Sequence, residues 1–137
     1  MGSSGYKVKP REIDVSNDIS LIDGRYGEIG FVYEGKNQLA DFIFDHRFIF
    51  VSGGSFNHYK IYEWTKTGLK MFASCDYPII KREYLGRAYV IDVYQTAIRI
   101  SEGKEFSLTS FNCKDWVEKF KTCFIEIKEG PYGLVLK

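Results

Sequence analysis

Between residues 27 and 109, short apolar runs alternate with turn-forming residues at intervals of about ten residues. Aromatic residues make up 17% of the chain and are concentrated in these runs. Aromatic and β-branched side chains favour strands because they pack well on a pleated, half-buried surface. The pattern predicts seven short strands in meander order, over residues 27–33, 42–51, 58–64, 69–74, 88–94, 96–100 and 105–109.

Turns between these runs are predicted wherever Gly or Asn interrupts the apolar pattern. The segments 34–37, 52–54, 65–68 and 101–104 each contain such a residue. Gly and Asn adopt the positive φ that tight turns require. We therefore expect the first strand to stop before Glu34 and the third to close at Gly68.

After Asn112 the apolar period changes from two residues to that of a helix. Asn112 is a favourable N-cap, and Asp115 places a negative charge in the first turn, where it suits the helix dipole. The residues of one helical face over 113–125 are apolar: Trp116, Val117, Phe120 and Phe124. We predict a mainly β fold, a seven-stranded antiparallel barrel or orthogonal sandwich capped by one C-terminal helix with Trp116 in its core.

Length, charge and cysteine content exclude several classes of protein. The 137 residues suit one domain, and a net charge of +1 argues against a general nucleic-acid binder. No apolar run approaches 18 residues, so no membrane span is expected. Three cysteines without Cys-x-x-Cys spacing predict free thiols in a cytoplasmic protein, with no structural zinc. No catalytic motif, phosphate loop or metal site is recognisable, and we expect a non-enzymatic monomer without a cofactor.

The composition divides the chain into three parts. Residues 1–24 are mixed and polar and predict an N-terminal arm, whose first five residues resemble a vector remnant. Residues 25–128 carry the strand and helix patterns and form the predicted domain. Residues 129–137 form a tail in which the apolar residues 134–136 either pair as an extra strand or lead to a larger protein.

Three passages resemble the pleckstrin homology (PH) domain. Residues 30–36 are similar to its first strand, residues 46–55 to its second strand and turn, and residues 106–120 to its last strand and the helix with a single Trp. The resemblance implies the PH-like barrel and a module that binds anionic lipid headgroups. The Lys-, Tyr-, Ile- and Phe-rich composition is also similar to acylated PH-domain proteins of apicomplexan parasites, which implies phosphatidic acid as well as phosphoinositides.

The family's headgroup site lies between its first two strands, and the resemblance transfers it here in part. Arg47 occupies the basic position of the second strand, and its planar guanidinium suits bidentate phosphate contacts. Glu34 and Asp45 stand where the family has cations, so Lys36 is the expected substitute on the first strand. Lys60 falls in a region of the third strand that contributes to the site in some members.

Further cations flank the predicted turns. Lys66 and Lys70 border the third turn, while Lys81 and Arg82 lie in a predicted loop beside Tyr84. If these residues share one rim with Lys36 and Arg47, six cations face the same way. Each contributes about 1 kcal/mol near an anionic bilayer. The alternatives are solvated lysines and, for Arg47, a surface cation paired with Asp45 or another neighbour.

The sequence therefore predicts a module that recruits its host protein peripherally to an anionic membrane. The predicted headgroup residues are Lys36, Arg47, Lys60, Lys66 and Lys70. The alternative is a protein-interaction module in which an exposed strand edge or the outer face of the helix binds a peptide.

Overall fold

The main sheet contains five antiparallel strands. The computed structural model describes residues 12–13, 28–38, 45–52, 59–130 and 133–136. Its strands are β1 (Glu12–Ile13), β2 (Ile29–Asn37), β3 (His46–Ser52), β4 (Tyr59–Thr65), β5 (Gly68–Ser74) and β6 (Lys81–Tyr89). The order is β1-β5-β4-β3-β2-β6, with β1 adding a short parallel pairing to β5. β6 is therefore an edge strand of this sheet.

Two helices follow β6 and pack on one face of the sheet. Helix α1 spans Val90–Ser101 and helix α2 spans Cys113–Cys123. Asn112 and Asp115 form a reciprocal capping box at the start of α2, which is worth about 1 kcal/mol. After α2, the strands β7 (Ile127–Gly130) and β8 (Gly133–Leu136) form a separate hairpin.

The sheet has an apolar cluster on each face. The larger cluster joins Val32, Ile49 and Tyr62 to Trp116 and Phe120 of α2. The smaller cluster lies on the opposite face, which we call the outer face. It consists of Phe48, Phe50 and Ile61, packed against Tyr33, Tyr59, Phe72, Tyr77 and Ile79. The last two of these residues belong to the segment between β5 and β6, which crosses the outer face.

The predicted seven-stranded barrel is wrong. Four predicted strands are present with shifted ends as β2, β3, β4 and β5, but the predicted strands at 88–94 and 96–100 are replaced by the end of β6 and helix α1. The predicted strand at 105–109 is instead a turn region, in which Ser107 and Phe111 form an isolated bridge. The 81–84 segment, predicted as a loop, is strand.

The largest error in the predicted fold is the assignment of strands to the residues of helix α1. The strand-favouring residues of this helix explain the error. Its sequence is rich in Val and Ile, which lowers helix propensity. Its buried apolar residues nevertheless fall at spacings of three or four: Val90, Val93, Ala97 and Ile100. That period is helical, and burial against the sheet outweighs intrinsic propensity.

Gly35 was predicted to end the first strand, and this is also wrong. β2 continues to Asn37, and Gly35 pairs with Phe48 of β3. A Cβ atom at Gly35 would lie 2.6 Å from the Phe48 ring. The glycine is therefore required for close packing, whereas Gly68, with a φ of 110°, serves the predicted β4–β5 turn.

Other predictions are confirmed. Helix α2 begins after its predicted cap, and Trp116 is fully buried. The apolar tail pairs as strand β8. The turn at 53–54 and all of the predicted arm except residues 12–13 lie outside the described residues.

Candidate functional site

Three cations meet at one end of the sheet. Lys36, near the end of β2, pairs in register with Lys81 at the start of β6, and Arg82 pairs with Gly35. Lys81 and Arg82 are exposed and Lys36 is half-buried. The structure gives none of the three an ion pair among the described residues. We call Lys36, Lys81 and Arg82 the basic tip.

An exposed apolar residue adjoins the basic tip. Ile80 is 70% exposed, and Tyr84, two residues beyond Arg82, is 53% exposed. The guanidinium of Arg82 lies 5.4 Å from the centre of the Tyr33 ring, a cation–π distance that orients the side chain. The tip thus combines positive charge with exposed apolar surface.

The segment that carries Ile80 is held to the sheet by three hydrogen bonds. The Tyr77 hydroxyl donates to Glu63 Oε1 at 2.6 Å, and Asn37 Nδ2 donates to the Pro78 carbonyl at 3.1 Å. The Ile80 amide donates to the Lys36 carbonyl at 2.8 Å. Tyr77 also packs edge-on against Phe48, at a centroid distance of 5.0 Å. We call residues 77–80 the strap.

Arg47, the predicted centre of the headgroup site, is enclosed by carboxylates. Its Nε donates to Glu34 Oε2, and its Nη2 donates to Glu118 Oε2 of α2 at 2.6 Å. Lys121 adds contacts to Glu34 at 3.0 Å and to Glu118 at 3.4 Å. These four residues form the Arg47 network. The Arg47 side chain is 13% exposed, and its carboxylate partners are Glu34 and Glu118 rather than Asp45.

The network determines the charge of Glu34. Burial would raise the pKa of this carboxyl group, but hydrogen bonds from Arg47 and Lys121 and their positive charges outweigh burial and lower it. Glu34 therefore stays ionised although its side chain is buried. Its charge is balanced within the domain by Arg47 and Lys121.

Lys60, Lys66 and Lys70 do not join the basic tip. Lys60 is 2% exposed and donates to Glu28 Oε2 at 3.0 Å. Lys66 is exposed in the β4–β5 turn. The Nζ atom of Lys70 lies 5.8 Å from the centre of the Phe72 ring on the outer face. The structure thus separates the five predicted headgroup residues, and only Lys36 lies at the tip.

A second buried ionic cluster anchors the strap. His46 Nε2 lies 2.7 Å from Glu63 Oε1, the same oxygen that accepts from Tyr77. Burial opposes protonation of His46, but hydrogen bonds and charge interactions with Cys113 and Glu63 raise its pKa to about 9. Burial and the Glu63 carboxylate also raise the pKa of Tyr77, so its hydroxyl remains a donor. Since His46 is fully buried, this cluster is closed to a substrate.

The sequence places Lys81 and Arg82 among the cations of a predicted rim. It predicts neither a role for Ile80 nor the position of β6 at the edge of the sheet. One signal was available: the run 79–84 places two apolar residues directly before Lys81 and Arg82. The β2–β6 register that brings Lys36 to them joins residues far apart in the chain and has no local signature.

Within the described residues, no helix is long and apolar enough to cross a bilayer. No cluster of three or more His, Cys, Asp or Glu side chains there is arranged to hold a metal ion. No family model, curated protein or solved structure matches the chain. The resemblance to PH domains thus stays a prediction, and the function of the chain has to be argued from its own surface.

Proposed function

We propose that this protein is a non-catalytic module that binds the surface of anionic membranes through its basic tip. One observation carries the proposal: Ile80, which among the described residues is the most exposed large apolar side chain, stands directly before Lys81 and Arg82 at the end of the sheet. Cations are attracted to anionic headgroups, and a neighbouring apolar side chain gains by entering the interface.

The expected affinity is modest. Each lysine or arginine near an anionic surface contributes about 1 kcal/mol, and the basic tip has three. Ile80 adds a further contribution of about 1 kcal/mol if most of its exposed surface leaves water. Binding of this kind recruits a protein reversibly and weakens as salt screens the charges.

The proposed function is membrane binding, as the sequence predicts, but the residues that carry it differ from the predicted ones. Arg47 and Lys60 already have carboxylate partners within the domain. An external phosphate would have to displace those carboxylates from partly or fully buried positions, and leaving a buried charge without its partner is costly. The exposed cations Lys81 and Arg82 bind an anion without that cost.

Vesicle sedimentation at about 0.1 M salt tests the proposal, with vesicles that contain phosphatidylserine, phosphatidic acid or only phosphatidylcholine. We expect wild-type protein to bind both anionic vesicles and not the neutral ones. The double variant Lys81→Ala/Arg82→Ala should bind about 30-fold more weakly, from the loss of two cations worth about 1 kcal/mol each.

The matched control is Arg99→Ala/Lys119→Ala, which removes the same two residue types from exposed positions on α1 and α2. It should bind as wild type does. Equal losses in both double variants would reduce the effect to net charge. Failure of wild-type protein to bind any anionic vesicle would refute the membrane function.

The edge of β6 supports a second candidate, the addition of an extended peptide to the sheet. Residues 81–84 are all exposed, and β6 pairs with β2 on one side only among the described strands. A sheet edge of this kind can accept a further strand. However, charged residues and a bulge opposite Val32 and Tyr33 mark this edge, and both features discourage strand addition. The membrane function is therefore the better supported of the two.

A further inference from the structure

A cavity on the outer face opens beside the basic tip. Its volume is about 330 Å³, which falls in the range of small-molecule sites. It lies between the strap, β4 and the start of β6. The residues that line it are Tyr59, Tyr77, Ile79, Ile80, Lys81 and Arg82.

Two tyrosine rings and two isoleucine side chains form the wall of the cavity away from its two cations, and both rings are held in place by packing. Tyr77 is held by its hydrogen bond to Glu63 and by edge-on packing against Phe48 and Phe72. Tyr59 packs edge-on against Phe50 at a centroid distance of 5.2 Å. Because these rings are positioned before any ligand arrives, little ordering entropy is lost when an apolar group enters.

Its rim is cationic. Lys81 and Arg82 are the charged residues of the lining, and no carboxylate accompanies them. A smaller cavity of about 150 Å³ shares these two cations but is also lined by Glu34 and Glu83. The larger cavity is therefore the one whose lining favours an anion.

The chemistry of the cavity specifies an amphiphile with one anionic end. The tyrosine rings and the isoleucine side chains of the wall favour a hydrocarbon segment, and the two cations at the rim favour a phosphate that remains near water. We infer that the cavity holds the glycerol backbone and the first acyl segment of one anionic phospholipid, with its phosphate at Lys81 and Arg82. This inference rests on the proposed membrane function. It adds that the protein binds one lipid molecule in a defined cavity, besides adsorbing to a charged surface.

Short-chain lipids below their micelle concentration test the inference without a membrane. Dihexanoyl phosphatidic acid supplies both parts of the ligand, glycerol 3-phosphate supplies the head alone, and dihexanoyl phosphatidylcholine supplies the chains without net charge. In amide NMR titrations we expect saturable one-to-one binding of the first, at least tenfold tighter than the other two. The shifted amides should include Tyr59, Ile79 and Arg82.

Two variants separate the walls from the rim. Ile79→Thr keeps a β-branched side chain but makes the wall polar, so the preference for dihexanoyl phosphatidic acid over glycerol 3-phosphate should shrink to less than threefold. Arg82→Gln should weaken both phosphate compounds together. Unchanged amide spectra outside the cavity establish that each variant is folded.

The outcomes distinguish this inference from the proposed function. If glycerol 3-phosphate binds as tightly as the lipid, or if neither shifts the cavity amides, the inference is overturned while vesicle adsorption through the basic tip still stands. If the short-chain lipid binds in the cavity but anionic vesicles are not bound, the membrane function fails, and with it the inference that a membrane phospholipid occupies the cavity. Binding that maps to another surface also overturns the inference and leaves this cavity available to a protein segment.

Discussion

Arg47 and Arg82 flank the same end of β2, yet their surroundings differ completely. Arg47 pairs in register with Lys36 from β3, and Arg82 pairs with Gly35 from β6. Arg47 is enclosed by two carboxylates, one of them on α2. Arg82 is exposed and lies over the Tyr33 ring. One arginine holds the helix against the sheet, and the other is available to an external anion.

The difference shows that the position of a cation on a strand does not define its role. What decides the role is whether the side chain meets a carboxylate from another element. Glu34 and Glu118 lie 13 and 71 residues from Arg47 in the chain, so this pairing is a property of the tertiary structure. A variant of Arg47 should therefore lower stability and leave membrane binding nearly unchanged. A variant of Arg82 should weaken binding and leave stability nearly unchanged.

The largest expected effect is on stability, from Arg47→Ala. This variant leaves Glu34 buried with Lys121 as its only remaining partner in the network. Breaking a buried ion pair from one side costs about 3 kcal/mol, and we expect that decrease in the free energy of unfolding, measured with urea. Binding of the folded variant to anionic vesicles should stay within twofold of wild type.

Glu118→Ala is the matched control for the Arg47 network. Its side chain is 53% exposed, and its removal should change the free energy of unfolding by less than about 1 kcal/mol. Loss of vesicle binding with unchanged stability in Arg47→Ala would reverse our assignment and return Arg47 to the headgroup site implied by the PH resemblance.

The His46–Glu63 pair gives a second large effect, which depends on pH. The pKa of His46 rises from 6.5 to about 9 on folding. Because the folded-state pKa is higher, the pair contributes fully below about pH 6.5, and its contribution is lost as the pH rises through 9. The loss is of the order of 3 kcal/mol. Urea unfolding of wild type and His46→Gln at pH 6, 7.5 and 9.5 measures it.

The difference in unfolding free energy between these two proteins should shrink toward high pH, since only wild-type protein has the titrating pair. The contributions of groups that have no contact with His46 cancel in the comparison. Parallel pH profiles for wild type and His46→Gln would show that His46 and Glu63 do not form a charged pair.

The parts of the fold that were predictable depend on local signals. The β4–β5 hairpin follows from alternation and a glycine at positive φ, and α2 follows from its cap and its apolar stripe. Helix α1 was missed because its β-branched residues favour a strand, whereas its burial period is helical. The run 96–100 alternates in the way a strand does, but the buried residues of helix α1 recur with a helical period, and tertiary packing decides between the two.

The candidate site was less predictable than the fold. The sequence identifies Arg47 and Lys60 as cations on strands, but their neutralisation depends on contacts with Glu34, Glu118 and Glu28. Lys36 lies at the basic tip because it aligns with Lys81, and that alignment depends on the register of β6. The residues of the proposed site therefore differ from the predicted ones because long-range contacts decide which cations meet carboxylates within the domain.

A change in salt concentration should have a smaller effect than these substitutions. It should weaken binding through the exposed Arg82 but hardly change the contribution of the enclosed Arg47 to stability. Exposed charges are screened over about 10 Å at 0.1 M salt and over shorter distances as salt rises, while enclosed pairs are screened much less. Between 0.1 and 0.5 M NaCl, we expect vesicle affinity to fall about tenfold. The stability difference between wild type and Arg47→Ala should change by less than about 0.5 kcal/mol. A salt-independent vesicle affinity would contradict binding through exposed cations.

Ile80→Ser should give the smallest effect, which concerns the apolar part of the tip. The side chain is 70% exposed, so its replacement should leave the free energy of unfolding within about 0.5 kcal/mol of wild type. If Ile80 enters the interface, transfer of its exposed surface contributes about 1 kcal/mol, and vesicle affinity should fall about fivefold. Leu108→Ser is the control, because Leu108 is 52% exposed on the turn before α2. Equal affinities for the two variants would mean that the tip binds through charge alone, whereas a loss confined to Ile80→Ser places this side chain against the membrane beside Arg82.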